Sequence, residues 1–381
     1  MNRSTEKILT THTGSLARLP GVMELIRRGA DGDAVDPDEF DRAANEAVRE
    51  VVKRQLEAGV SVINDGEQGK TGYADYMRDR VTGFENGDYV ERRPSRSVSD
   101  FPTYYEGRSG SRRSRGMFVG DGPVAWKDFN AVEKDIARLK GALAGLEVAD
   151  SFMTSASPAT FINHNPNSYY RSREQYLEVA GEVMKREYEA ITSAGIVLQL
   201  DCPDLAASRE SFFSDQSDEE FVKMAEQNIA ALNHATRDVP QEMMRIHVCW
   251  GAGEQPHNHD IPLEKILGTL LKAHVGAISI VGANGRHDHE WKLWKDVKLP
   301  EGVSLIPGVI DNTTNIIEHP QAVADRIVRY ASVIGRENVI AGVDCGFAPI
   351  GSSNPGVDSM IVWAKLRSLA EGAALATSTL W

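Results

Sequence analysis

The run RIHVCWG, residues 245–251, places a histidine and a cysteine one residue apart in a stretch that has the composition of a β-strand. Side chains alternate between the two faces of a strand, so His247 and Cys249 point to the same side. Imidazole and thiolate are ligands that zinc prefers, and catalytic zinc sites usually combine three protein ligands with one open position. The pair predicts part of a zinc site. The alternative is a core histidine beside an unrelated buried thiol.

A third candidate ligand comes from a distant part of the chain. Cys345 lies in GVDCGFA, directly after an apolar run, and Cys202 follows Asp201 in the same way. On a regular strand Cys202 points away from the side that Asp201 faces, so we do not expect it to bind metal. Three cysteines are too few for a disulfide framework and favour a reducing compartment. We predict a zinc ion bound by His247, Cys249 and Cys345.

Eight β-rich runs along the chain must position these ligands. They are 8–12, 60–65, 151–155, 196–201, 244–249, 277–282, 303–309 and 338–344. Several are nearly continuous in Val, Ile and Leu, which is typical of strands covered on both faces. Amphipathic segments separate them, at 38–58, 128–146, 173–193, 218–236, 262–274 and 320–334. The alternation predicts a single α/β domain over residues 1–381, a (β/α)8 TIM barrel, with an open doubly wound sheet as the alternative.

Two segments fall outside this alternation. The stretch 68–127 is long for a loop after the second strand, and we predict an insertion on the barrel with a hairpin excursion. Within it, residues 91–116 are rich in arginine, which either line a pocket for an anionic substrate or form a solvated surface. Residues 356–376 form an amphipathic end helix that packs on the barrel or on a partner, so a homo-oligomer remains open.

Polar residues follow almost every predicted strand, and the carboxyl ends of barrel strands converge on the active site. They are His12, Thr13, Asp65, Glu67, Ser155, Asp201, Cys202, His247, Cys249, Asn284, Asp311, Asp344 and Cys345. A protein that only stores or senses metal needs no more than its ligands. So many convergent polar strand ends therefore favour an enzyme.

Charge and termini limit the partners. The chain of 381 residues has a formal net charge of −13, which disfavours nucleic acid because phosphate backbones select basic surfaces. The segment MNRSTEKILTTHTGS lacks the apolar core of a signal peptide, and no stretch is apolar enough to span a bilayer. We expect a cytoplasmic protein that acts on small molecules. The motif GEQGKT ends like a phosphate-binding loop, but that pattern needs a glycine where Asn64 stands.

Six segments in order resemble the cobalamin-independent methionine synthase family, and most closely its short single-barrel relatives, which include the epoxyalkane:coenzyme M transferases. They are THTGS, DGEQG, LQLDCPDLA, IHVCWG, IPGVID and AGVDCGFA, from about His12 to about Phe347. The resemblance implies a (β/α)8 barrel whose zinc lowers the pKa of a small thiol and presents a thiolate to an electrophilic carbon. That carbon is a methyl group in the synthase and a ring carbon in the epoxide relatives. The matching ligand positions are His247, Cys249 and Cys345.

Two positions depart from the family pattern. Val281 stands where the synthase has a glutamate ligand, so zinc occupancy is open. Either three protein ligands suffice, or a nearby group replaces the glutamate, or the metal is weak or absent; the candidate substitutes are His287, Asp288, His289 and Glu67. Asp311 stands in the loop that carries a proton-donating histidine in the synthase. This weakens the assignment of a folate methyl donor and suits another electrophile, with Asp311 as its general acid or as a loop cap.

The resemblance also implies roles for other strand-end residues. Asp201 matches an aspartate that contacts the amino group of the thiol substrate, and Glu67 matches a glutamate near that substrate. The segment that holds His12, Thr13 and Ser15 matches the one that binds the substrate carboxylate. We also expect Trp250 and Asn284 to line the pocket. The structural alternatives are a helix cap for Asp201 and Ser15, a tight turn at Asn64–Gly66, and simple packing for Trp250.

The function that these observations predict is a zinc-dependent transferase. It activates a small thiol as a zinc thiolate for attack on a methyl donor, an epoxide or a similar electrophilic carbon. The alternative is a barrel that has lost its metal and acts as a lyase, isomerase or hydrolase by acid–base chemistry, with Asp201, Glu67 and Asp311 as the reacting groups. The identity of the thiol and of the electrophile stays open.

Overall fold

The computed structural model describes residues 1–85, 87, 89–91, 94–106, 117–348 and 356–381. Six of the seven arginines in the stretch 91–116 lie outside these residues, so its two interpretations remain open. No helix in the described part of the chain combines the length and the apolar character that crossing a bilayer requires.

Ten strands form in the described residues. They are β1 (Leu9–Thr10), β2 (Val62–Ile63), β3 (Tyr89–Val90), β4 (Met117–Phe118), β5 (Asp150–Ala156), β6 (Val197–Asp201), β7 (Met244–Val248), β8 (Ala277–Ile280), β9 (Ser304–Ile310) and β10 (Ile340–Val343). Eight of them are parallel neighbours in the order β1, β10, β9, β8, β7, β6, β5, β2. A bridge between Thr11 and Val62 joins the two edges, so the sheet closes into a barrel.

Each of the eight predicted β-rich runs overlaps one of the barrel strands. The predicted (β/α)8 barrel is therefore confirmed, and the open doubly wound sheet is wrong. All seven residues of β9 and all five of β6 are buried, as expected for strands covered on both faces. β1 and β2 are only two residues long, shorter than predicted, because the chain turns into polar loops soon after Thr10 and Ile63.

Helices pack around the barrel. They are α1 (Pro20–Ala30), α2 (Pro37–Glu57), α3 (Tyr76–Arg80), α4 (Arg96–Asp100), α5 (Pro102–Glu106), α6 (Asn130–Leu143), α7 (Pro158–His164), α8 (Arg173–Ser193), α9 (Ser208–Ser211), α10 (Asp218–Ala235), α11 (Leu263–Leu270), α12 (Pro320–Ile334) and α13 (Ser359–Leu380). Short 3-10 helices span Pro203–Leu205, Gln241–Met243, Glu290–Lys295 and Arg336–Asn338. Helix starts follow local chemistry. For example, Ser217 and Glu220 form a reciprocal capping box at the start of α10.

The segment between β2 and β5 adds elements above the barrel. β3 and β4 pair antiparallel, with Tyr89 opposite Phe118, in a small sheet of their own. The end helix α13 packs on the barrel through buried residues such as Leu366 and Leu369. The described part of α13 therefore belongs to the barrel's own helical shell.

Helix α4 lies over the mouth of the barrel. The Asp100 carboxylate accepts a hydrogen bond from Asn258 Nδ2 at 2.7 Å and contacts His259 Nε2 at 2.6 Å. The backbone N–H of Ser97 donates to Glu210 Oε1 at 3.0 Å. Asn258 and His259 follow β7 and Glu210 follows β6, so these contacts place α4 across the carboxyl ends of two adjacent strands.

A buried arginine organises the barrel interior. Arg245 Nε donates to Gln199 Oε1 at 2.8 Å and Nη2 donates to the His12 carbonyl at 3.1 Å, while the guanidinium lies 3.6 Å from the ring centroid of Phe152. Burial lowers the pKa of Arg245 to about 9. Residues two apart on a strand share a face, so this polar layer lies one step below His247. It ties β1, β6 and β7 together beneath the mouth.

Candidate metal centre

The three predicted ligands meet at the carboxyl end of the barrel. His247 lies in β7, Cys249 is the first residue after β7, and Cys345 is the second residue after β10. All three side chains are buried, and one ligand atom from each lies within 4.8 Å of the others. A tetrahedral zinc with bonds of 2.0–2.3 Å holds its donors about 3.3–3.8 Å apart, so small shifts of these side chains would complete such a site.

His247 presents one nitrogen to this cluster. Its Nδ1 lies 3.1 Å from the Ser279 hydroxyl on the neighbouring strand β8. Its Nε2 is buried and has no hydrogen-bond partner among the described residues. Buried polar atoms are normally satisfied, so an unpartnered imidazole nitrogen beside two thiols fits a metal ligand. A metal on Nε2 requires the proton on Nδ1, which then donates to Ser279 Oγ.

The two thiols polarise one another. A hydrogen bond from Cys345 holds the pKa of the Cys249 thiol well below its ordinary value, and the same contact raises the pKa of Cys345. Cys202 is also buried, but its thiol donates to the Leu200 carbonyl at 3.4 Å, in agreement with its expected orientation away from the cluster. The donor set of one imidazole and two thiols suits zinc.

Removal of the Ser279 hydroxyl is expected to weaken zinc binding about 10- to 100-fold, the usual effect of losing an outer-shell partner of a ligand histidine. The variant is Ser279→Ala, and the measurement is zinc competition with a chromophoric chelator. Ser304→Ala is the matched control, because Ser304 is a buried serine on the next strand whose hydroxyl has no partner in the described residues. Equal zinc affinities for the two variants would contradict the assigned role.

No described carboxylate or histidine joins the three ligands as a fourth. Val281 is buried directly after β8, two residues beyond Ser279. The suggested substitutes are engaged elsewhere: His287 contacts Asp260 and Glu290, Asp288 pairs with Arg329, His289 is exposed, and Glu67 pairs with Arg18. The replacement of the family glutamate by one of these groups finds no support in this geometry.

Two acidic side chains lie at the mouth beside the cluster. Glu67 is buried, accepts a hydrogen bond from Thr154 Oγ1 at 3.0 Å and pairs with Arg18 Nη2 at 3.3 Å. Its φ of +57° lies in the left-handed region, which costs energy for a side chain that is not glycine. Burial and the nearby charge of Glu67 raise the pKa of Asp201 well above its ordinary value, and Cys249 adds to this effect. A raised pKa favours the protonated, neutral form of Asp201, so the mouth places a protonatable carboxyl beside the thiols.

The residues after β1 make mostly internal contacts. His12 Nε2 lies 2.8 Å from Gln55 Oε1, and its Nδ1 accepts from the Gly14 N–H at 3.2 Å. Burial lowers the pKa of His12 to about 4, so the ring is neutral. Thr13 Oγ1 donates to the Val343 carbonyl at 3.3 Å, and Ser15 Oγ accepts from the Ala348 N–H at 3.1 Å. These contacts connect the first loop to the segment that carries Cys345.

Trp250, Asn284 and Asp311 also have defined partners. Trp250 Nε1 donates to the Ile261 carbonyl at 2.7 Å, and the indole is buried. Asn284 Oδ1 accepts from the Arg286 N–H at 2.9 Å. Asp311 Oδ1 accepts from the Thr313 N–H and hydroxyl, both at 2.8 Å, which is the bonding of a loop cap.

Several supporting residues were not singled out from the sequence. They are Arg18, Ser279 and Lys70, whose ammonium donates to the Thr154 carbonyl. Asp344 was predicted only as a polar strand-end residue, and its carboxylate accepts a hydrogen bond from the Gly282 N–H. Ser279 offered a signal, since it precedes Val281 by two residues and shares its face. Lys70 lies in the GEQGKT motif, and the structure places it beneath the mouth, 4.4 Å above the Tyr76 ring.

Comparison with known proteins extends these observations. The family described as "Cobalamin-independent synthase, Catalytic domain" matches residues 8–355. The methionine synthase of Sulfolobus acidocaldarius is 24% identical over 347 residues, which cover 88% of this chain and 85% of that protein. The 5-methyltetrahydropteroyltriglutamate–homocysteine methyltransferase of Mesembryanthemum crystallinum is 25% identical over 365 residues, 93% of this chain. The chain spans 42% of the length of that plant relative.

A solved structure shows the same fold. The B12-independent methionine synthase from Shewanella sp. W3-18-1, in complex with selenomethionine, has a TM-score of 0.73 and 20% sequence identity, and the match covers 98% of this chain and 99% of that chain. The family match over residues 8–355 confirms the resemblance seen in the six ordered motifs. The chain belongs to the cobalamin-independent methionine synthase catalytic-domain family.

Proposed function

We propose that the protein is a zinc-dependent transferase that moves a methyl or related alkyl group from a small carbon electrophile to a small thiol. The observation that carries the proposal is the buried set of His247, Cys249 and Cys345, with an unpartnered imidazole nitrogen facing two thiols. Family membership supports a methyl transfer, and the names of the relatives identify homocysteine methyltransferases. When bound, zinc supplies a Lewis acid that favours the thiolate form of the substrate.

The chain's own residues favour a thiol that carries an ammonium group. Asp201 and Glu67 are both buried, and the pKa of Asp201 is raised by this burial first and by the nearby charge of Glu67 second. An ammonium between them would offset both effects and favour ionised Asp201, whereas a sulfonate would be repelled by Glu67. Arg18 holds Glu67 in place through a buried ion pair. We therefore propose an aminothiol such as homocysteine as the acceptor.

The remaining steps use the strand-end residues. Attack of the thiolate sulfur forms the new carbon–sulfur bond as the bond to the leaving group breaks, and the leaving group takes up a proton. We propose Asp311 as the proton donor, because it lies at the end of β9 with its carboxylate oriented by Thr313. His12, Thr13 and Ser15 shape the loop that faces the substrate carboxylate, with Trp250 and Asn284 along the rim.

X-ray absorption at the zinc edge tests the proposal directly. The zinc-loaded protein is expected to show two sulfur scatterers, and three after addition of homocysteine. Cysteamine and coenzyme M, an ammonium thiol and a sulfonate thiol, test the charge preference at equal concentration. A sulfur count that stays at two with every thiol would overturn the proposed chemistry.

Restoring a carboxylate at position 281 is expected to tighten zinc binding. Outer-shell partners already change metal affinity about 10- to 100-fold, so an added direct ligand in Val281→Glu should tighten it by at least about 10-fold. Chelator competition measures the change, and Val281→Gln is the control of equal size without a carboxylate charge. If Val281→Glu binds zinc no more tightly than Val281→Gln, the side chain at 281 does not face the metal.

One observation favours a second function. The valine at position 281 removes a charged ligand, which suits a barrel that works as a lyase, isomerase or hydrolase through Asp201, Glu67 and Asp311. Retained turnover of a substrate in excess chelator, with no thiol present, would select this alternative.

A further inference from the structure

Four ionisable side chains form a second cluster next to the metal centre. His257 and Asp260 come from the loop after β7, and His287 and Glu290 come from the loop after β8. Each side chain is less than a tenth exposed. None of them is a ligand, and the proposed transfer assigns them no step.

His287 is bonded at both ring nitrogens. Its Nδ1 lies 2.8 Å from Glu290 Oε2, and its Nε2 lies 3.0 Å from Asp260 Oδ2. Ionised carboxylates only accept hydrogen bonds, and although burial raises the pKa of Asp260, its contacts with His257 and His287 lower that pKa below its ordinary value. With both carboxylates ionised, both nitrogens of His287 carry a proton and the ring is an imidazolium. Burial alone would lower the pKa of His287, but the bonds to Asp260 and Glu290 raise it to about 9.

The imidazolium lies against the indole that follows the metal pair. The ring centroids of Trp250 and His287 are 4.2 Å apart, with an angle of 31° between the planes. A cation against an indole face is an attractive contact. The indole N–H donates to Ile261, so Trp250 is held at both its face and its edge. Trp250 directly follows Cys249, so a shift of the indole that moves the backbone of Trp250 also moves the residue that carries this sulfur.

The same cluster anchors the loop after β7. His257 has a φ of +55°, and its ring contacts Asp260 Oδ2 at 2.7 Å and the Gly253 carbonyl at 3.2 Å. On the outer side of this loop, Asn258 and His259 contact Asp100 of α4. The loop is thus held between α4 above and His287 below.

We propose that His287 is a positioning residue that fixes the wall of the thiol pocket through Trp250. Asp260 and Glu290 hold the histidine, and the histidine holds the indole beside Cys249. The choice of a thiol as the ligand rests on the proposed function, whereas the contact between His287 and Trp250 does not.

Thiol binding gives the first test. In zinc-loaded His287→Gln, the dissociation constant for homocysteine, measured by calorimetry, is expected to rise about 10-fold, since small displacements of pocket groups have effects of this size or larger. Zinc affinity should change less than about 2-fold, because no ligand or direct ligand partner is altered. His289→Gln, an exposed histidine on the same loop, is the control and should bind homocysteine as the native protein does.

A double-mutant cycle separates positioning from general damage. If His287 acts through Trp250, adding His287→Gln to Trp250→Phe should change homocysteine binding less than about 2-fold further. Additive effects of the two substitutions would overturn the proposal. Loss of zinc binding in His287→Gln would overturn it as well, since the histidine would then support the whole site.

Fluorescence tests the contact independently of any thiol. A protonated imidazole quenches an adjacent indole, so emission should rise with a midpoint near pH 9 as His287 loses its proton. The charged or titratable groups that face His287 are His257, Asp260 and Glu290. The rise should vanish in both Trp250→Phe and His287→Gln. If the rise in emission persists in either variant, the positioning role of His287 is overturned. If the rise vanishes in both variants but no thiol binds the native protein, the contact stands and the proposed function is overturned instead.

Discussion

Replacing Cys249 by serine is expected to reduce the zinc content of the purified protein from about one ion per chain to below about 0.1, and to slow alkyl transfer by about 1000-fold. The substitution leaves two ligands, His247 and Cys345. A serine hydroxyl does not ionise near neutral pH, so it cannot replace a thiolate. The loss follows from the geometry, since one donor from each of the three residues is needed to surround the site.

Cys202→Ser is the matched control for this experiment. Cys202 is equally buried, but its thiol bonds to a backbone carbonyl and lies outside the ligand set. Zinc is quantified by mass spectrometry after preparation under anaerobic conditions, and methyl transfer to homocysteine is followed with each variant. A Cys249→Ser protein that keeps a full zinc ion would show that the metal binds elsewhere. Native protein that works unchanged in chelator would show that no metal is needed.

Much of the candidate metal centre could be predicted from the sequence because barrel geometry constrains where strand ends lie. His247 and Cys249 share one face of a strand, and closure of the eight strands brings the segment with Cys345 to the same end of the barrel. The closure itself depends on pairing between residues far apart in sequence, such as Thr11 with Val62. The alternation of strands and helices, which can be read from the residue pattern, predicts that pairing because eight such units close into a barrel.

The partners of the site residues could not be predicted in the same way. Arg18 pairs with Glu67 across 49 positions of sequence, and His287 finds Asp260 across 27 positions. Such pairs depend on how particular loops fold over the barrel. His287 was a candidate substitute ligand because of its type and location, yet two carboxylates hold both of its nitrogens. Because both ring nitrogens of His287 are bonded to carboxylates, neither is available as a metal ligand.

The substitution Asp344→Ala is expected to lower the free energy of unfolding by about 3–5 kcal/mol. Asp344 is buried beside Cys345, and its Oδ1 accepts hydrogen bonds from the N–H groups of Gly282 and Ala283, both at 2.8 Å. Its Oδ2 accepts from the N–H of Asn284 at 2.6 Å. A buried donor left without a partner costs about 1–3 kcal/mol, and water entering the gap would recover part of the total.

Urea unfolding of the zinc-free protein at pH 8 measures this effect without the added stabilisation of a bound metal. Burial raises the pKa of Asp344 to about 7 although the three backbone donors lower it, so the carboxylate is mainly ionised at pH 8. Asp288→Ala is the control, since this half-exposed carboxylate pairs with Arg329 at 3.2 Å and should cost less than about 1 kcal/mol. Equal decreases in the free energy of unfolding for the two variants would contradict the role of Asp344 as a clamp, meaning a carboxylate that holds the N–H groups of Gly282, Ala283 and Asn284.

The space for this clamp is provided by a glycine on the neighbouring strand. A Cβ atom at Gly308 would lie 1.9 Å from Asp344 Oδ1, so Gly308→Ala must displace the carboxylate or the strand. We expect Gly308→Ala to destabilise the protein at least as much as Asp344→Ala. In the double variant Gly308→Ala/Asp344→Ala, the new methyl group at position 308 meets no carboxylate, although the backbone of residue 344 still lies 2.8 Å from it. The two decreases in the free energy of unfolding should therefore be less than additive. Full additivity would mean that the carboxylate does not occupy the space beside Gly308, and the loop after β8 would then need another anchor to the strand that carries Cys345.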